Sequence, residues 1–174
     1  MALTSSIKPF GLRQITLVPL PSGSAVVLPA ARTLSFSESL ISGELRGDDA
    51  VMAIAAITDK IEWSLEAGGL SFEAIKVMTG RTIAASGTTP SQKNTLTIAA
   101  GDTMPYFKIY GKIVNDDGSD VHCLLYKCKL TGGLQGEFKE GEFYIQKCEG
   151  VAITTGTKIA ELVHNETATT VPAS

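Results

Sequence analysis

Histidine is nearly absent from this chain: two occur in 174 residues, His122 and His164. A serine or cysteine nucleophile needs a base, and no G-x-S-x-G elbow accompanies either histidine. Cysteine is scarce and odd in number, at 123, 128 and 148. Without an export signal, that count predicts reduced thiols in a cytoplasmic setting. The opening MALTSSIKPFGLRQ lacks the apolar stretch of a secretory signal. No apolar run approaches the roughly 18 residues of a membrane-crossing helix. Charged residues are few, 19% of the chain with net charge −3. Lys and Arg are scattered, so sequence-specific DNA binding is not expected. Aromatics make up only 6%.

What is present fits one domain with a core large enough to fold without staples. Hydrophobic residues are 44% of the chain, and most segments read as strands. Gly11–Leu20 and Ser24–Leu28 flank the turn Pro21-Ser22-Gly23. Thr33–Leu40 alternates, with Leu34, Phe36 and Leu40 on one face and Ser35, Ser37 and Ser39 on the other. Glu38 breaks the apolar side. Lys60–Ala67 alternates too, with Ile61, Trp63 and Leu65 opposed to Lys60, Glu62, Ser64 and Glu66. Pro105–Val114 and Val121–Leu130 predict a hairpin around the turn Asn115–Ser119. Glu142–Ile153 is a further strand with Gly150 as a bulge. The segment 41–57 reads differently. Its first half is turn-rich and charged, and AVMAIAAI at 50–57 is small and apolar without alternation.

One helix is well signalled, at Ser71–Thr79. Ser71 is a natural N-cap, Glu73 suits the positive end of the helix dipole, and Gly80 suits a left-handed C-cap. Leu70 and Ile75 have staple spacing, and Phe72, Ile75 and Met78 lie on a wide apolar arc.

Several chemistries lack their residues. Gly68-Gly69 sits between a strand and a helix, as a phosphate cradle would. The preceding strand alternates rather than running apolar, and neither G-x-G-x-x-G nor GK[ST] is present. The corner therefore predicts a tight turn with positive φ. His122, Cys123 and Cys128 fall on one strand. Cys123 and Cys128 point to opposite faces, and His122 and Cys128 lie roughly 20 Å apart, so no metal site is expected. Asp48-Asp49 and Asp116-Asp117 occur in turn sequence, where Asp is common. No cofactor and no enzymatic activity are expected.

The wording ESLISGELRGDDAVMA, IEWSLEAGGLSFEAIKVMTG and PYFKIYGKIVNDDGSDVHCLLYKCKL resembles the major tail tube proteins of long-tailed bacteriophages, most clearly over about 33–155. The resemblance implies a mainly β fold, a β-sandwich or barrel with one flanking helix at about 71–79. It also implies a long inter-strand loop at about 41–57. It implies one domain over 1–174, an extended N-terminal segment and a flexible C-terminal tail from about 160. It implies hexameric rings whose inner sheets join, stacked into a conduit for DNA ejection. The stacking loop would include Glu44, Arg46, Asp48, Asp49, Val51 and Ile54. The lumen face would include Ser35, Ser37, Ser39, Glu62, Ser64 and Glu66, and Phe72, Ile75 and Met78 would pack the helix. Expected partners are copies of the chain, a tape measure protein, a tail terminator protein and transiently passing DNA, with no membrane. The particle would assemble in the host cytoplasm. The alternatives are another virion protein, for tail completion or capsid decoration, and a β-sandwich carbohydrate-binding module.

Overall fold

The computed structural model describes residues 7–47 and 49–171, so Asp48 and the last three residues lie outside the described part. The order is β1 Leu12–Pro19, β2 Val26–Leu28, β3 Ala31–Gly47, β4 Ala50–Gly68, α1 Phe72–Thr79, β5 Ile83–Ser86, β6 Lys93–Leu96, β7 Tyr106–Val114, β8 Asp120–Gly136, β9 Ile145–Ala152 and β10 Ala160–Asn165. The expected mainly β fold with one short helix is what the chain adopts. Eight strands form one antiparallel sheet in the order β2-β1-β7-β8-β9-β4-β3, with β10 also paired to β8. The sheet is not closed into a barrel. Strands β5 and β6 make a separate small hairpin.

Strand β8 divides the sheet into two layers. Asp120–Lys129 pairs with β7, whereas Cys128–Gly136 pairs with β9. Between Leu130 and Leu134 the β8–β9 register shifts, and Gly133 there takes φ 76°. A bulge of this kind bends a strand and raises its twist. The outer layer is thus β2-β1-β7 with the first half of β8 and β10. The inner layer is the second half of β8 with β9, β4 and β3. Their apolar faces meet in one core holding Ile15, Leu17, Trp63, Leu65, Phe107 and Leu125. Trp63 meets Phe107 edge-on at 5.7 Å between ring centres, and Leu34 of β3 fills the space left bare by Gly111 of β7.

The bulge expected at Gly150 lies instead on the opposite strand. The β4–β9 register runs unbroken through Trp63 opposite Gly150. Glycine is required there because an added Cβ would sit 2.1 Å from the Lys129 carbonyl and 2.5 Å from the Trp63 ring.

The helix begins and ends on its predicted caps. Ser71 Oγ accepts from the Ala74 N–H, and Gly80 at φ 71° donates to the Lys76 carbonyl. Gly69, at φ 84°, donates its N–H to the Tyr144 carbonyl at 2.8 Å, so the double-glycine corner serves backbone geometry. Ala74, Val77 and Met78 enter the main core, Ile75 is buried and Phe72 is half-buried.

Two expectations are corrected. Residues 41–57 are not an irregular loop. They continue β3 and β4 as a paired hairpin whose register runs to Gly47 opposite Ala50. The sequence shows no alternation there because neither face is buried in the chain. The tail expected from about 160 is also docked: β10 pairs with Asp120–Leu125 of β8. Asp120, fully buried, anchors it. The carboxylate accepts from Asn165 Nδ2 and the Thr169 N–H, each at 2.7 Å, and from His122 Nε2 at 2.9 Å. Lys112 Nζ lies 3.3 Å away.

Burial opposes the charged form of Asp120, but those donors outweigh it and hold its pKa at about 2 against an ordinary 3.8. A depressed carboxyl pKa gives stability that is present above the unfolded value and lost as pH falls through the folded one. Urea titrations should show stability falling between about pH 4 and pH 2. Asp120→Asn should flatten that limb and cost about 3 kcal/mol at neutral pH. An unchanged acid limb would remove Asp120 from this role. Gly150→Ala should cost about 3 kcal/mol, because backbone and a buried ring block the new methyl. Gly132→Ala should cost under about 1 kcal/mol, because only the exposed Glu149 side chain stands in its way.

Candidate functional site

The outward face of the inner layer carries the first candidate surface. Strand pairing sets Ser35 opposite Ser64, Ser37 opposite Glu62, Ser39 opposite Lys60, and Thr33 opposite Glu66. The Ser35 and Ser64 hydroxyls are 2.6 Å apart. Behind them, β9 aligns Glu149 with Ser64 and Lys147 with Glu66, and β8 aligns Lys129 with Val151. An open depression of about 640 Å³ lies on this face, over Ser37, Glu62, Ser64 and Glu149.

The face is not acidic as a whole. Lys60 pairs with Glu62 at 3.1 Å and Lys147 with Glu66 at 2.8 Å. Lys127 and Lys129 sit over the Tyr106 ring, 4.9 and 5.0 Å from its centre. Alternation in β3 and β4 shows the serines and glutamates. It cannot show the lysines that β8 and β9 bring beside them, because that adjacency is set by long-range register.

The second surface is the projecting hairpin. At its root the pairing steps from Ser39–Lys60 to Leu40–Thr58, leaving Asp59 as a bulge. Glu38, which breaks the apolar pattern, accepts from the Thr58 hydroxyl there. About eight residue pairs continue beyond this point, some 25 Å at strand spacing. Leu40, Ile41, Leu45, Met52, Ile54 and Ile57 are all exposed. Within the turn Asp49 takes φ 62°, and Arg46 pairs with Glu44 at 3.1 Å. Val51 faces Arg46 and Ile54 faces Glu44.

Among the described residues both edges of the inner layer are open, as β2 and β10 are at the margins of the outer layer. Strand β3 pairs only with β4, and Leu130–Gly136 of β8 pairs only with β9. Phe36 faces Trp63 in register yet is 45% exposed, because β3 is an edge. Trp63 itself is buried, so it offers no platform for a sugar.

Among the described residues no group of three His, Cys, Asp or Glu could hold a metal ion. His122 is committed to Asp120. Burial raises the thiols of Cys123, to about 11, and Cys148, to about 12, which disfavours a reactive thiolate. No helix of the described residues is long and apolar enough to cross a membrane.

No protein-family model matches this sequence, and no curated protein matches it. The fold is similar to that of a chain in a cryo-EM structure of the anti-feeding prophage (AFP) baseplate, 6-fold symmetrised. The TM-score is 0.50 at 9% identity, over 94% of this chain and 97% of that one.

Proposed function

We propose that the chain is a structural subunit of a phage-like tail, forming sixfold rings that stack into a tube through which DNA leaves the particle. The observation that carries this reading is the hairpin β3–β4. It extends well beyond the core with apolar side chains on both faces, a surface that a solitary chain leaves in water.

The open edges support ring formation. In the inner layer every neighbour is antiparallel, so β3 and the second half of β8 run in opposite directions. The edge of one copy can therefore join the other edge of the next with the same antiparallel pattern, and closure removes both edges of the inner layer. The similar chain belongs to a sixfold assembly, which fits that closure. The projecting hairpin then supplies the contact between rings, with Glu44, Arg46 and Asp49 near its tip and Val51 and Ile54 on its flank.

The outward face of the inner layer would line the channel. Affinity for DNA comes mainly from cations that displace its counterions. Here Lys60 and Lys147 are already held by glutamates, so a passing duplex gains little by binding them. A tape measure protein would occupy the channel before ejection, and a tail terminator would cap the last ring. The baseplate neighbour favours one second reading, a ring at the tail tip. That protein would form closed rings without open-ended tubes.

Electron microscopy of the concentrated protein tests these readings. Open tubes of stacked rings are expected; single closed rings would favour the tail-tip reading, and a chain that remains monomeric at all concentrations would sink both. Replacing residues 44–49 with Gly and Ser, or introducing Ile54→Asp, should leave folding stability within about 0.5 kcal/mol. Stacking should be abolished in both variants. Tubes of normal length from either one would show that the hairpin is not the inter-ring contact.

A further inference from the structure

Phe143 is 94% exposed and Phe138 85%. Both lie in the β8–β9 connection EFKEGEFY, 137–144. The connection is fixed in place. The Tyr144 carbonyl accepts from the Gly69 N–H, and the Tyr144 ring lies 4.8 Å from that of Phe138. The Tyr144 hydroxyl lies over Gly136, where an added Cβ would come within 2.1 Å of it. Leu70, which follows Gly69, is exposed beside them. A depression of about 520 Å³ opens between Phe143, Ile145 and Gln135.

Strand β4 sets this patch and the projecting hairpin at opposite ends of the inner layer. Gly68 pairs with Ile145, directly after the connection, and the β4–β9 register runs unbroken from there to Ile61. The hairpin leaves that layer beyond Thr58. From Thr58 to Gly68 is roughly 30 Å along one strand, so neither surface covers the other within one chain.

The two faces of the hairpin differ. Residues directly opposite on an antiparallel pair share a face. Ile41 with Ile57, Gly43 with Ala55, and Leu45 with Ala53 make one face without a polar side chain. Glu44, Ile54 and Arg46 fall on the other. Gly43 and the alanines leave a shallow saddle between Ile41, Ile57 and Leu45, and a Cβ at Gly43 would meet nothing within 4 Å. A saddle of this kind fits a broad ring.

We infer that the connection 137–144 of one copy seats the hairpin of another, with Phe138 and Phe143 against the face formed by Ile41, Leu45 and Ile57. Charge selects this pairing over two connections meeting each other. The connection holds Glu137, Glu140 and Glu142 against Lys139 alone, so two of them repel, whereas the uncharged hairpin face does not repel either. Phe138 and Phe143 supply the apolar centre, and the glutamates stay at its wet rim. A contact between unlike ends of a subunit is heterologous and repeats from copy to copy. This rests on the stacked-tube reading and names the surface that receives its hairpin.

The test uses full-length chains carrying Leu45→Cys or Phe143→Cys and a short bismaleimide. Both positions are exposed. Cys128 and Cys148 are buried and Cys123 half-buried, so background coupling is low. A mixture of the two variants should give at least about fivefold more cross-linked dimer than either alone, because the contact joins unlike ends. Adding Phe138→Asp to the Phe143→Cys chain should lower that yield about tenfold, since a carboxylate would enter the apolar centre. Phe138→Leu should keep most of it. Equal yields from the mixture and the single variants, or a Leu45→Cys chain that couples best to itself, would overturn the contact. A mixed yield that Phe138→Asp leaves unchanged would do the same. Microscopy of the same samples separates the two readings. Mixed cross-links without tubes sustain the contact and sink the tube; tubes without mixed cross-links do the reverse.

Discussion

The architecture depends on one strand serving two layers. Strand β8 is 17 residues long, and its bulge after Leu130 turns a continuous sheet into two faces of a core. Without that bend, β7 and β9 would flank it in one flat sheet. The apolar sides of β1, β7 and β4 would have nothing to meet. The bend also leaves Leu130–Gly136 without a neighbour on the side that β7 vacates. The same feature that closes the core thus creates one of the inner layer's two open edges. Gly150 permits this, because Trp63 and the Lys129 carbonyl both crowd the space where its side chain would be.

How much of this was legible follows from the range of each interaction. The helix was legible because caps, dipole and staple act within a few residues. Ser71 and Gly80 fix it almost alone. The alternation of 33–40 and 60–67 was legible because one face of each strand is wet. The hairpin stem at 41–57 was not, because alternation records a difference between two faces. In the single chain both faces of that stem meet water. The docking of 160–169 was equally hidden. It rests on Asp120, whose donors come from residues up to 49 positions away.

The wet face shows the same limit. Two strands alone predict hydroxyls and carboxylates with one lysine, Lys60, beside them. The register of β9 adds Lys147 against Glu66, and β4 sets Lys60 against Glu62 within its own length. For a DNA channel the distinction matters. A purely acidic wall repels phosphate, whereas one on which Lys60 and Lys147 offset Glu62 and Glu66 is closer to neutral toward it. Exposed pairs contribute little to folding, so the pairing of Lys60 and Lys147 has more consequence for what the face binds than for how stable it is.

The surfaces left unfinished differ in kind, and that difference constrains assembly. An open edge offers hydrogen bonds with a fixed direction. In the assembly proposed above, the β3 edge and the β8 edge would specify a lateral neighbour in one orientation. The hairpin offers apolar area on both faces and no fixed register, which suits insertion between elements of another layer. In the proposed assembly, lateral contacts that close and a hairpin contact between rings would together give a tube. Neither kind of contact alone gives it: edges without axial contacts yield rings, and axial contacts without edges yield single filaments.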